Sequence, residues 1–155
     1  MARLDTSLES AGAEFLVLGN LLVEGIQAFK AYVNFPGYDI IATNPEGDRP
    51  CRIQVKSRWA TDFDGGFPIK NFDCDFVVLV ALNRGYRYRR AHSATSSGTS
   101  SPKFWILPID VVRAAQSPTS SWGKVFLRRM SNSDQYVDNW QLVKTFLSRP
   151  PYIAQ

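Results

Sequence analysis

The apolar patterns run in the order helix, three strands, loop, two strands and helix, which predicts an α/β (α+β) sandwich with a small mixed sheet. Three observations carry this. Residues 6–25 repeat apolar side chains every three or four positions. Residues 38–58 hold two apolar runs around a turn, and residues 75–82 form one near-continuous apolar run.

The first segment, TSLESAGAEFLVLGNLLVEG, reads as a helix stopped by Gly25, with Thr6 and Glu9 at capping-box spacing. Leu8, Ala11, Phe15, Leu18 and Leu22 line one stripe, the expected buried face. At about 100° per residue, Glu14 falls roughly 80° from the centre of that stripe, on its shoulder. IQAFKAYVNF is the next expected strand, followed by a turn at Pro36-Gly37. YDIIAT and RIQVKSRW follow as strands of one hairpin joined by NPEGDRP. Alternation puts Ile53, Val55 and Ser57 on one face of the second strand, with Gln54, Lys56 and Arg58 on the other. DFVVLVAL is apolar without alternation, as a central strand buried on both faces must be. KFWILPI is a further strand, and Pro108 leads into a short helix, IDVVRAAQ. A last helix spans 138–148 and stops at Pro150-Pro151. SATSSGTSS, 93–101, is low in complexity and reads as a mobile loop.

At 155 residues the chain has the length of one domain, expected over 1–155, and 45% apolar content suits a packed core. The net charge of +4 permits a polyanionic partner without requiring one. No apolar run approaches the roughly 20 residues that span a bilayer, and MARLDTSLES lacks the basic-then-apolar layout of a secretory leader. Cys51 and Cys74 lack CxxC spacing and read as reduced thiols of a cytoplasmic protein.

One polar group in these strands needs compensation. A buried carboxylate is costly unless a cation meets it, and Asp39 opens an apolar run. A divalent cation between Asp39 and the Gln54 amide oxygen would supply it, with the Val55 backbone carbonyl as a third oxygen ligand. Hard cations such as Mg²⁺ take oxygen ligands and keep several waters. Lys56, beside Gln54 on the same face, would then approach a phosphate. A Lewis acid, an activated water and a cation for developing charge are the parts for phosphodiester hydrolysis.

These residues, Asp39 followed by Gln54-Val55-Lys56 and preceded by a helix carrying Gly12-Ala13-Glu14, resemble the PD-(D/E)XK nuclease superfamily. The layout is similar to its resolvase-like branch over about residues 10–110. The resemblance implies a restriction-endonuclease-like core with the mixed sheet flanked by helices, dependence on Mg²⁺ or Mn²⁺, and DNA as substrate. It also implies that Glu14 is the helix carboxylate, acting through water or a second metal, Asp39 the metal ligand and Lys56 the catalytic lysine. Tyr38 stands in the place of the proline of the motif, and Gln54 in the place of its second acid. An amide oxygen can ligate Mg²⁺ but brings no negative charge. The alternative is therefore a catalytically inactive module of the same fold that binds nucleic acid or a protein.

A second stretch, NRGYRYRR, supplies candidates for nucleic-acid binding: Arg84, Tyr86, Arg87, Tyr88, Arg89 and Arg90, with Arg58 beside the Lys56 face. If extended, Tyr86 and Tyr88 share one face and Arg87 and Arg89 the other. Arginines bind phosphates while tyrosines stack on bases. His92, the single histidine, borders the Ser-rich loop and supports no His-based triad. Asp62 and Asp64 begin like a calcium loop whose later positions do not match, and read as polar loop residues. Trp59, Trp105, Trp122 and Trp140 read as packing. Homodimerisation is left open.

Overall fold

The first helix, α1 (Thr6–Val23), lies across a five-stranded sheet. In spatial order its strands are β1 (Gln27–Lys30), β2 (Ile40–Thr43), β3 (Pro50–Arg58), β5 (Phe76–Ala81) and β6 (Lys103–Pro108). A two-stranded sheet pairs β4 (Gly66–Pro68) with β7 (Lys124–Phe126), and α2 (Ile109–Ala114) and α3 (Gln141–Ser148) complete the fold. The structure is a computed structural model and describes residues 5–31, 37–46, 48–88, 96–119 and 123–149.

All neighbours in the large sheet run antiparallel except β3 and β5, which pair in parallel from Ile53–Phe76 to Arg58–Ala81. A parallel pair needs a long crossover, and residues 59–75 make it, with β4 on the way. The sheet separates two cores. On one side α1 and α3 cover Ile40, Ile53, Val78 and Ile106 with Val17, Leu21, Trp140 and Val143. On the other, α2 and the small sheet cover Val77, Leu79 and Leu107 with Val112, Phe67 and Val125. Every residue of β5 is buried, as its unbroken apolar run predicts.

Several local expectations are corrected. Asp5, not Thr6, caps α1 by accepting from the Ser7 N–H at 3.0 Å. The buried face of α1 is Ala13, Val17 and Leu21, roughly 140° round the helix from the expected stripe. Leu8, Phe15 and Leu22 are exposed. Glu14 therefore lies nearer the core than its predicted shoulder position. The strand expected over 26–35 is present as Gln27–Lys30, while Pro36 lies outside the described residues. The last helix begins at Gln141 rather than 138. Of the loop expected over 93–101, residues 93–95 lie outside the described residues, and residues 97–101 form no helix or strand but are held by hydrogen bonds. Thr61 Oγ1 donates to the Gly98 carbonyl at 2.6 Å, and the Tyr86 and Ser100 N–H groups reach the Ser97 and Asn83 carbonyls. Cys51 and Cys74 are buried free thiols. Trp105 and Trp140 are core residues, as expected. Trp122, His92 and Pro150-Pro151 lie outside the described residues.

Candidate active site

The site forms where β2 stops running beside β3. Pairing of the two strands ends at Ile40–Ile53, so from Gln54 onward one edge of β3 faces no strand among the described residues. Asp39 stands at this opening. Its N–H donates to the Ile53 carbonyl at 2.8 Å, and its Oδ2 accepts from the Val55 N–H at 2.8 Å. The carboxylate thus takes the place of the missing strand for one backbone donor. A strand residue sends its N–H and C=O to the same edge, so the Val55 carbonyl also leaves toward Asp39.

Gln54 is the buried polar residue of this region. Its Nε2 donates to the Gly37 carbonyl at 3.1 Å and to the Asn71 carbonyl at 3.4 Å. Two carbonyl acceptors fix which end of the amide is nitrogen. The other end, Oε1, is buried and has no hydrogen-bond partner, an arrangement that costs the desolvation of an acceptor. Gly37 makes this cradle feasible. Its φ is +96°, and a Cβ there would lie 2.8 Å from Asn71 Oδ1 and 2.9 Å from the Asp73 carbonyl oxygen.

Glu14 reaches the opening from α1 and pairs with Lys30 of β1 at 3.2 Å. Burial pushes its carboxyl above the ordinary value. The Lys30 hydrogen bond opposes the shift, and the negative charge of Asp39 adds to it. Lys56 lies on the Gln54 face of β3 and, among the described residues, makes no ion pair or hydrogen bond. Burial lowers its ammonium below the ordinary lysine value, against the pull of Asp39. On the α1 side of β3, the Ser57 hydroxyl donates to Glu9 Oε1 at 3.2 Å.

Asp39, Gln54 Oε1, the Val55 carbonyl and Glu14 fit a hard cation by chemistry: two carboxylates and two neutral oxygens, one of them an orphaned buried acceptor. Among the described residues no group of three or more carboxylates, imidazoles and thiolates could hold a metal. Any cation here would therefore rely on amide oxygens.

A cleft of about 370 Å³ opens beside the site and is lined by Lys56, Arg58, Arg87, Tyr88 and Glu9. The stretch 83–88 is not the extended strand that its alternation allows. β5 ends at Ala81, Gly85 takes φ +141°, and the Arg87 and Tyr88 N–H groups both donate to the Asp62 carboxylate, at 3.0 and 3.1 Å. Arg87 and Tyr88 turn into the cleft, whereas Tyr86 packs over Gly98 and Arg84 lines a different hollow. Arg89 and Arg90 lie outside the described residues. Asp64 is a loop residue, accepting from the Gly66 N–H and pairing with Lys124.

Sequence reasoning misses Lys30, Glu9 and Asn71. Lys30 sits at the end of a short strand with no motif around it, and its link to Glu14 depends on how α1 lies on β1. Glu9 reads in sequence as half of a cap that Asp5 in fact provides. Only the Asn71 backbone touches the site amide, which no sequence pattern records.

No protein-family model matches the chain, and no curated protein matches it. Solved structures do. A bacterial homing endonuclease, I-Ssp6803I, is similar over 91% of this chain and 92% of its own, with a TM-score of 0.55 and 22% identity. Hjc, a Holliday junction resolvase of the archaeal hyperthermophile Archaeoglobus fulgidus, is similar over 88% of this chain and 96% of its own, with a TM-score of 0.53 and 16% identity. Both are restriction-endonuclease-like folds. A mixed five-stranded sheet flanked by helices, aligned over about nine-tenths of the chain, gives this protein the restriction-endonuclease-like fold.

Proposed function

We propose that the chain is a metal-dependent DNA endonuclease of one domain. Asp39, Gln54 and the Val55 carbonyl would hold Mg²⁺ or Mn²⁺, with Glu14 assisting through water. The observation that carries the reading is the buried Gln54 Oε1 without a partner, in a site whose other oxygens are carboxylates and a strand-edge carbonyl. A divalent cation bound there supplies Lewis-acid stabilisation of a phosphodiester and a more acidic water. The residues of the chain do the rest. Lys56 has no competing partner among the described residues and places its charge where negative charge develops on the phosphate. Arg58 and Arg87 in the cleft hold the flanking backbone, and Tyr88 offers a stacking surface. Arg89 and Arg90 follow directly in sequence and would extend that contact, whereas Arg84 and Tyr86 lie away from the cleft. Free buried thiols suit a reducing, cytoplasmic setting. No helix among the described residues is long and apolar enough to cross a membrane.

The basic cleft also supports the second reading, an inactive module that grips DNA or a protein without metal. Nicking of plasmid and branched DNA with Mg²⁺ or Mn²⁺ separates the two. Wild type is expected to cleave, Gln54→Ala to cleave more slowly, and Gln54→Glu to hold the metal at least as tightly. Cleavage undiminished in Gln54→Ala removes the amide from the ligand set. Absence of cleavage in wild type on every substrate favours the binding module.

A further inference from the structure

The cleft beside the site adjoins a second hollow, of about 500 Å³. Its apolar lining comes from Leu8, Leu16 and Leu82, and its charged lining from Asp5, Glu9 and Arg84. Glu9 and Trp59 line both spaces, so the two are continuous there. Trp59 belongs to neither core. Gly85 lies against its ring, where a Cβ would stand 3.6 Å from Trp59 Cη2. Trp59 also stands three residues beyond Lys56, or about 10 Å along an extended strand. The charged groups differ in their engagement. Asp5 is taken up in capping α1. Glu9 is oriented by the Ser57 hydroxyl, which donates to its Oε1 at 3.2 Å. Among the described residues Glu9 Oε2 and the Arg84 guanidinium make no hydrogen bond or ion pair.

We infer that this hollow receives one unpaired nucleobase of the DNA strand in the cleft, and that the base is guanine. The inference rests on the proposed DNA path through the cleft. A strand held at its phosphates by Arg58 and Arg87 directs its bases elsewhere, and an unstacked base is stable against an aromatic ring. Trp59 supplies that ring at the junction of the two spaces, and the three leucines supply walls that exclude water. The volume lies within the range of small-ligand pockets, about 300–1,000 Å³. A base leaving water also needs partners for its polar edges, or their desolvation opposes binding. Glu9 and Arg84 offer one charge of each sign. Guanine alone presents two neighbouring donors, N1–H and N2–H, to a carboxylate and two neighbouring acceptors, O6 and N7, to a guanidinium fork. Adenine and cytosine offer a carboxylate one amino group, and thymine one ring N–H. In a paired duplex the base is held in the stack and its pairing edge is engaged. The substrate class is therefore DNA with an unpaired guanosine close to the bond under attack.

Binding at low salt in EDTA, where no cleavage occurs, tests this on the full chain. Fluorescence anisotropy compares a fully paired duplex with the same duplex carrying one bulged guanine, adenine, cytosine, thymine or abasic residue. Wild type is expected to bind the guanine bulge at least about tenfold more tightly than the abasic one. Arg84→Ala and Glu9→Gln should each cut that ratio to about threefold or less, and Glu9→Gln should also narrow the preference for guanine over adenine. A merely structural role would weaken binding to every duplex alike and leave the ratios unchanged. Trp59→Phe should keep the preference for any base over the abasic residue, and Trp59→Ala should lose it. Equal affinity for the guanine and abasic bulges, or ratios that no variant alters, overturns the inference while paired-duplex binding and metal-dependent nicking still support the nuclease reading. Absence of binding to all of these DNAs overturns both.

Discussion

Replacing Asp39 by asparagine separates the two roles of its carboxylate. One oxygen accepts from the Val55 N–H at 2.8 Å, and an amide oxygen can do the same. The other role is charge, which raises the carboxyl of Glu14 and would bind a cation. Without metal, Asp39→Asn should melt no lower than wild type, because the backbone bond survives and repulsion with Glu14 disappears. Asp39→Ala should melt lower, since a backbone donor left unpaired costs about 1–3 kcal/mol. With Mn²⁺ at about 100 times its dissociation constant, wild type should gain about 2.7 kcal/mol. At about 2–4 °C per kcal/mol for a chain of this size, the melting temperature rises by about 5–10 °C. The asparagine variant should lose that rise. Differential scanning fluorimetry with EDTA or Mn²⁺ reads all four quantities. An asparagine variant that keeps the Mn²⁺ shift would refute the metal site, and an alanine variant as stable as asparagine would refute the strand-substitute role.

Glu14→Gln should stabilise the metal-free protein at neutral pH. A carboxyl raised above its ordinary value of 4.5 holds its proton more tightly in the folded state, so its contribution is present below 4.5 and is lost as pH rises through the folded value. Glutamine does not ionise, so its advantage should vanish in urea titrations below that pH; a pH-independent difference sinks the reasoning. Arg58→Ala combined with Arg87→Ala should weaken DNA binding and flatten its salt dependence by roughly 0.9 log–log units for each phosphate no longer neutralised. Gel shifts at several salt concentrations check this, and an unchanged slope removes both residues from the DNA path.

The sequence is most legible where one physical constraint acts alone. β5 is buried on both faces, so its composition suffices to place it. The β2–β3 hairpin alternates around a turn, and that alternation correctly puts Gln54 and Lys56 on one face. α1 is legible as a helix but not in its orientation. Both of its faces carry apolar side chains, and a period of 3.6 cannot say which one meets the sheet. Residues 83–88 alternate like a strand, yet Gly85 and the Asp62 carboxylate turn the chain aside. Gly85 is the available signal, whereas the Asp62 contact is not visible in sequence. β4 and β7, three residues each, are too short for any period to register.

The candidate site concentrates terms that a chain selected for stability alone would avoid. Among the described residues Gln54 Oε1 has no hydrogen-bond partner and the desolvated Lys56 no ion pair, and Glu14 sits beside another carboxylate. None can relax locally. The Gln54 amide cannot turn over, because the Gly37 and Asn71 carbonyls would then face its oxygen. Lys56 is fixed in direction by the pleat of β3, and Asp39 is tied to the edge of that strand. A glutamine at position 54 also limits the cost. A third carboxylate beside Asp39 and Glu14 would add repulsion to desolvation, whereas an amide leaves one neutral buried oxygen. Cost gathered on Gln54, Lys56 and Glu14 is the pattern expected of residues kept for binding rather than for folding.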